Sequence, residues 1–116
     1  MNDTEDDLFL MANLRPAETG LPMVVWVSER GYAQHDVRVK VSLTHGPRSS
    51  PTQPMGVYAV RPSPHCLHGY LTPSDDRAVV QWITLNEGVI LDYWNSAIST
   101  AEMLQRIRPL SPPVLP

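Results

Sequence analysis

The side chains best suited to chemistry lie between positions 35 and 68. Two imidazoles and a thiol come close together at His65, Cys66 and His68, and imidazole and thiolate are both zinc ligands. His35 or His45 would have to complete such a site, and the spacing matches none of the recurring zinc patterns. In a regular strand His65 and His68 face apart, so only a turn lets them converge. The trio is therefore a candidate metal site, against the alternative of exposed or hydrogen-bonded histidines, and no cofactor is expected.

Nucleophilic and acid-base chemistry have one candidate each. Cys66 beside a histidine resembles a thiolate-imidazole pair, but no glycine-rich oxyanion loop accompanies it, and a small core cysteine is the alternative. His35 precedes Asp36, which suggests a general base. Neighbouring strand residues point to opposite faces, however, so the two side chains do not easily touch. His35 is the one catalytic candidate, in a protein expected not to be an enzyme.

A basic stretch occupies the middle of the chain. A binding face is predicted from five cations and one aromatic residue: Arg30, Arg38, Lys40, Arg48, Arg61 and Tyr58. Cations interleaved with aromatic side chains can hold single-stranded nucleic acid. The same face could instead bind an acidic protein partner, receive the acidic residues near the start of this chain, or simply face water.

The segment HDVRVKVS, residues 35–42, must position that face. Side chains alternate across a strand, so Val37, Val39 and Val41 form an apolar wall while Arg38 and Lys40 point the other way. We expect the valines to face the core and the cations to lie on the open side of the sheet.

Other strands are predicted on either side of this one. The β-branched run Met23 to Ser28 is apolar on both faces and indicates an interior strand, and Val57 to Arg61 follows a surface loop over residues 44–56. A fourth strand from Cys66 to Leu71 rests on apolar residues between turn-forming ones. The prediction is an antiparallel sheet of three to four strands.

Two helices are predicted after the sheet. Thr72 caps the first, whose apolar residues recur at spacings of three and four as far as Trp94, with Gly88 as a point where it could break. Ser99 and Glu102 form a capping box for the second helix, from about Thr100 to Ile107. Strands followed by helices predict an α+β fold, with the sheet packed on a C-terminal pair of helices.

Composition limits the remaining possibilities. The 116 residues suffice for one domain: residues 1–20 are predicted to form a disordered acidic segment, 21–110 a single α+β domain and 111–116 a proline-rich tail. The net charge is -3, and a single cysteine forms no internal disulfide. No apolar run approaches the roughly 20 residues of a membrane span. We therefore expect a cytoplasmic protein that does not enter membranes and that pairs with a partner protein or a second copy.

The C-terminal third resembles a family of small uncharacterised bacterial domains. Members read roughly W-x-x-x-N/H-x-x-x-L-x-x-x-W with a final I-x-P-L, and Trp82, Asn86, Ile90 and Trp94 fit this spacing. The resemblance covers residues 79–110 and implies a similar α+β fold. Of the family's H-N-P-P-H-F-H-V signature, only His35 corresponds to a histidine. Members are often described as toxin or antitoxin components encoded beside a small partner.

These observations give two functional hypotheses. The first is a protein-protein interaction module, one component of a toxin-antitoxin-like pair, that uses the open sheet face and the loop. The second is a nucleic-acid-binding or RNA-acting module that uses Arg38 and Lys40, with His35 as a base if it cleaves its substrate.

Overall fold

The fold is α+β, built on one antiparallel sheet. The computed structural model describes residues 11–49 and 53–110. Within these, five strands pair in chain order: β1 (Met11–Leu14), β2 (Met23–Ser28), β3 (Arg38–His45), β4 (Met55–Ala59) and β5 (His65–His68). The helices are α1 (Pro16–Thr19), α2 (Pro73–Trp94) and α3 (Thr100–Arg106). No helix in the described ranges is long and apolar enough to cross a membrane.

The sheet has five strands, so the prediction of three to four strands was too low. The additional strand is β1, which lies inside the segment predicted to be disordered. It pairs with β2 from Met11 opposite Ser28 to Leu14 opposite Val25, and Leu14 is fully buried. Four residues are too few for an alternating pattern to stand out, which is why the sequence did not reveal this strand. The other parts of the predicted tails, residues 1–10 and 111–116, lie outside the described residues.

β2 is an interior strand, as its sequence predicted. Val25 and Val27 belong to the core shared with the helices, whereas Val24 and Trp26 point to the opposite side of the sheet. All four are at most 2% exposed. A strand covered on both sides needs the continuous apolar run that this segment has.

β3 shows the predicted alternation. Val37, Val39 and Val41 lie in the helix-side core at 0 to 2% exposure, while Arg38 and Lys40 are half-buried on the other side. Predicted and observed strand ends differ by one to three residues, the largest difference being at β5, which was predicted to reach Leu71 and ends at His68.

α2 begins as predicted, with the Thr72 hydroxyl accepting a hydrogen bond from the Asp75 backbone at 3.2 Å. It continues without interruption to Trp94, so the break considered at Gly88 does not occur. A Cβ atom at Gly88 would meet nothing within 4 Å, which places this glycine on the outer side of the helix. α3 has the predicted capping box, in which Ser99 and Glu102 each accept from the other's backbone at 3.1 Å.

The segment after α3 is fastened at two points. The side-chain amide of buried Asn86 donates to the Arg108 carbonyl at 3.0 Å and accepts from the Arg108 backbone at 2.8 Å. Further on, the Leu110 backbone donates to the Thr19 carbonyl at 2.6 Å. Asn86 and Leu110 thus both connect the C-terminal segment to the rest of the fold.

Candidate binding face

The side of the sheet opposite α2 carries Arg38 and Lys40, two of the five cations singled out in the sequence. We call it the helix-distal face and define it by Trp26, Arg38, Lys40, Val57, Ala59, His65 and His68. Residues opposite each other on paired strands share a face. One row therefore runs through Trp26, Lys40, Val57 and His68, and a second through Arg38, Ala59 and His65.

A β-bulge places both histidines on this face. Tyr58 lies opposite Cys66, but its neighbour Val57 lies opposite His68, so Leu67 is an extra residue on β5. An inserted residue reverses the alternation beyond it. His65 and His68 therefore share a side of the sheet, contrary to the expectation that they face apart.

The helix-distal face is basic around its centre and closely packed beneath it. Arg38 and Lys40 are half-buried and both histidines are exposed, whereas Trp26 is only 1% exposed. Among the described residues, Arg38 forms no ion pair. Lys40 thus lies beside the buried Trp26 side chain on the same face.

Arg48 lies in the loop after β3, outside the two rows that define this face. It lines a cavity of about 530 Å³ together with Asn13, Val24 and others. The neighbouring Ser49 hydroxyl donates to the Ser42 hydroxyl at 3.0 Å, which holds the described part of the loop against β3.

Tyr58 does not belong to the predicted binding face. It lies opposite Val39, on the valine side of the sheet, and is fully buried. Its hydroxyl donates to Asp76 Oδ1 at 2.6 Å. Burial, followed by the effect of the Asp76 carboxylate, raises the pKa of the phenol. The sequence could not assign its side because that depends on the register between β3 and β4.

Arg30 and Arg61 lie away from the face centre. They line a separate polar cavity of about 320 Å³ near Trp94. Arg61 donates two hydrogen bonds to the Asp36 carboxylate, from Nε to Oδ2 at 2.9 Å and from Nη2 to Oδ1 at 2.7 Å. The hydrogen bond from Arg61, assisted by the Val37 backbone, lowers the pKa of Asp36 to about 2.

The His35 side chain contacts the Asp36 backbone and the Trp94 ring. Its Nδ1 lies 2.7 Å from the Asp36 carbonyl oxygen, and its ring lies 5.9 Å from the Trp94 ring. The Asp36 carboxylate is held by Arg61 and is directed elsewhere. The geometry therefore does not assemble the His35-Asp36 acid-base pair that the sequence suggested.

The predicted metal site is also not assembled. Cys66 points to the helix side, away from His65 and His68, and its thiol donates to the His68 carbonyl at 3.4 Å. In the part of the chain that the structure describes, no three His, Cys, Asp or Glu residues are grouped so that they could hold a metal ion. The thiol has a backbone partner and no imidazole partner, so the nucleophilic pair is absent too.

Sequence reasoning missed the polar contacts at the start of α2. Asp75 accepts a 2.6 Å hydrogen bond from His45 Nε2, and Asp76 holds Tyr58. Asp76 also lines a cavity of about 450 Å³ between β5 and α2, together with His65, Cys66 and Tyr70. Asp75 and Asp76 both lie in the first turn of α2, where negative charge is favourable. Their contacts with His45 and Tyr58 depend on the tertiary fold and leave no local signal in the sequence.

No protein-family model, no curated protein and no solved structure matches the chain.

Proposed function

We propose that this protein is a protein-protein interaction module whose helix-distal face binds an acidic segment of a partner protein. The observation that carries the proposal is the placement of Arg38 and Lys40 on the side of the sheet opposite α2, where both side chains are half-buried. The valine side chains of β3 pack in the core, and the alternating Arg38 and Lys40 side chains point to the other side of the sheet.

The spacing of these cations suits an extended acidic chain. Arg38 and Lys40 are two residues apart on one strand, which is about 7 Å, because a strand rises about 3.4 Å per residue. Carboxylates at alternate positions of an extended peptide have the same separation. Arg38 supplies a planar fork that matches a carboxylate, and Lys40 supplies a point charge.

Apolar side chains complete the surface. Val57 lies between Lys40 and His68 and is half-buried, so it offers a partner some apolar area. The occupant that fits is an extended segment in which Asp or Glu alternates with aliphatic residues. Charge complementarity supplies selectivity and fast association, and the apolar contacts add affinity.

The family resemblance supports a specific setting for this interaction. We propose that the chain is one component of a toxin-antitoxin-like pair in the cytoplasm and that its partner is encoded beside it. Co-expression with the product of the neighbouring reading frame should yield a complex on size-exclusion chromatography. Replacing both Arg38 and Lys40 by Glu should dissociate it, and a complex that withstands this double replacement would contradict the assignment of the face.

A direct test uses synthetic peptides. Fluorescence anisotropy would compare a labelled peptide of alternating Glu and Leu with a matched peptide of alternating Gln and Leu. We expect the acidic peptide alone to bind, and the Arg38→Glu, Lys40→Glu variant to lose about tenfold or more in affinity because like charges then face each other. Arg77→Glu is the matched control, since Arg77 is an exposed cation on α2.

Two results would overturn the proposal. One is equal binding of both peptides, or none, by the wild-type protein at low salt. The other is that a single-stranded oligonucleotide binds through Arg38 and Lys40 with a steep salt dependence while the acidic peptide does not. The second result would establish the nucleic-acid hypothesis instead.

A further inference from the structure

We propose that the polar cavity near Trp94 is a binding site for a phosphate group, of the kind carried by a small phosphomonoester. This inference concerns a part of the molecule other than the helix-distal face and does not depend on the proposed function. It follows from the two arginines, Arg30 and Arg61, that the fold brings to one cavity.

The cavity lies where three connecting segments of the fold meet. Its volume is about 320 Å³. Arg30 and Gln34 come from the connection between β2 and β3, Arg61 follows β4, and Asn95 follows α2. Guanidinium and amide groups all donate hydrogen bonds. Donors therefore reach the cavity from three separate segments of the chain.

Arg61 lines the cavity with one edge of its guanidinium already fixed. Its Nε and Nη2 donate to the Asp36 carboxylate, and this pair holds the planar group in a defined orientation. Arginine has five N–H donors, so both N–H groups of Nη1 and the second N–H of Nη2 remain for a ligand. Asp36 is thus a positioning residue for the ligand-binding edge of Arg61.

Arg30 supplies a second guanidinium. Its backbone N–H donates to the Trp94 carbonyl at 2.9 Å, which fixes the chain at this point against the end of α2. Its side chain is exposed and has no carboxylate partner among the described residues. Two guanidinium groups at one cavity repel each other, and an anion bound between them removes this repulsion.

The acidic groups near the cavity do not cancel its positive charge. Among the described residues that line it, Asp36 is the one carboxylate, so two guanidinium groups face a single negative charge. Glu29 accepts a hydrogen bond from the Ser96 hydroxyl at 2.9 Å. Glu87, on α2, interacts with Arg61. Neither glutamate lines the cavity, whose lining therefore keeps a net positive charge.

The C-terminal end of α2 is also compatible with an anion. The last carbonyls of a helix carry partial negative charge when they have no partner. Here all four carbonyls of the last turn accept backbone hydrogen bonds: Leu91 from Asn95, Asp92 from Ala97, Tyr93 from Ser96 and Trp94 from Arg30. An anion in the cavity therefore does not meet a row of free carbonyl oxygens.

A phosphate group fits this arrangement better than a carboxylate. The phosphate group of a monoester has three terminal oxygens that accept hydrogen bonds, whereas a carboxylate has two in one plane. Donors from three chain segments match the phosphate. The cavity volume is at the lower end of the range for small-molecule sites, about 300 to 1,000 Å³, which leaves room for a small organic group on the phosphate.

An NMR titration with inorganic phosphate tests the site. The full ¹⁵N-labelled chain is titrated with sodium phosphate, with sodium chloride at equal ionic strength as the reference, and the side-chain N–H signals of Gln34, Trp94 and Asn95 are followed. We expect saturable shifts with phosphate. Acetate should bind at least about fivefold more weakly, because it accepts fewer charge-assisted hydrogen bonds.

Substitutions identify the groups that bind. Arg30→Gln and Arg61→Gln should each weaken phosphate binding by about tenfold or more. Arg61→Lys keeps the charge but not the planar fork, so it should also bind more weakly than wild type. Arg77→Gln is the matched control, since Arg77 is an exposed cation of α2 that does not line the cavity. Urea unfolding checks that each variant is folded.

Three results would overturn the inference. The first is that phosphate causes no saturable shift, and the second is that acetate binds as tightly as phosphate. The third is that Arg30→Gln and Arg61→Gln lose no more affinity than Arg77→Gln. None of these results affects the proposed function, which is tested separately with peptides at Arg38 and Lys40.

Discussion

Tyr58 joins the sheet to α2 through a single hydroxyl, which donates to Asp76. Tyr58→Phe removes this bond and leaves the Asp76 carboxylate without it, so we expect the free energy of unfolding at pH 7 to fall by about 1.5 to 3 kcal/mol. Urea denaturation measures the loss. Tyr32→Phe, at a side chain that is 84% exposed, is the control and should change little.

The same side chain makes stability sensitive to alkali. The pKa of Tyr58 is raised in the folded protein, so its contribution is complete below the ordinary tyrosine pKa of about 10 and is lost as the pH rises above it. The difference in stability between wild type and Tyr58→Phe should therefore shrink above about pH 10. A difference that stays constant to higher pH would show that burial of the phenol does not resist its ionisation.

Asp36 offers a second titration. Arg61 lowers the pKa of Asp36 to about 2, so the pair stabilises the fold above the ordinary carboxyl pKa of about 4, and the contribution is lost as the pH falls toward 2. In Arg61→Gln, NMR titration should show the pKa of Asp36 moving up toward its ordinary value. The pair is exposed, so the change in stability at neutral pH should be small. An unchanged pKa would show that Arg61 does not control this carboxyl.

At the scale of elements, α2 holds the C-terminal segment through Asn86. Asn86→Ala would leave the backbone N–H and C=O of Arg108 without their partner. We expect a loss of about 1 to 3 kcal/mol by urea denaturation, since two part-buried hydrogen bonds are lost and each contributes about 0.5 to 1.5 kcal/mol. Gln81→Ala, at an exposed position of the same helix, should have little effect. A loss in Asn86→Ala no larger than in this control would contradict the role of the amide.

The elements that the sequence predicted are those with local signals. The valine alternation of β3 and the caps at Thr72 and Ser99 are determined by near neighbours in the chain, and the structure has them. β1 was missed because its stability comes from pairing with β2 rather than from its own residues. The bulge at Leu67 was missed for a similar reason, because a bulge is a property of two paired strands.

For the candidate site, the sequence identified Arg38 and Lys40 as neighbours on one face, since both belong to a single strand. It could not group residues from different strands. Tyr58, Arg30 and Arg61 were therefore assigned to a face that they do not share, and His65 and His68 were separated although they lie together. These placements depend on the register between paired strands. That register is determined by contacts between residues that are far apart in the sequence.

At the scale of the whole molecule, the first helical turn and the last described residues meet. Gly20 has a φ of 75°, and a Cβ atom there would clash with the Leu110 carbonyl oxygen. Gly20→Ala should therefore lower the free energy of unfolding by more than about 1 kcal/mol, through both backbone strain and this clash. Thermal and urea unfolding would measure the change.

Gly88 provides the matched substitution. It lies within α2 with open space at the Cβ position, so Gly88→Ala should stabilise the protein by up to about 1 kcal/mol through helix propensity. The two glycine replacements should thus have opposite signs. Equal effects would contradict the close contact between Gly20 and Leu110.

The contact between Thr19 and Leu110 has a consequence for synthesis on the ribosome. Each strand of the sheet pairs with the one made just before it, so the sheet can assemble while the chain emerges. The Leu110 hydrogen bond to Thr19 and the Asn86 amide bonds to Arg108 cannot form until residues 108–110 have left the exit tunnel. Nascent chains that end before residue 108 lack both sets of hydrogen bonds. They are therefore better substrates for cellular proteases than the fully folded domain.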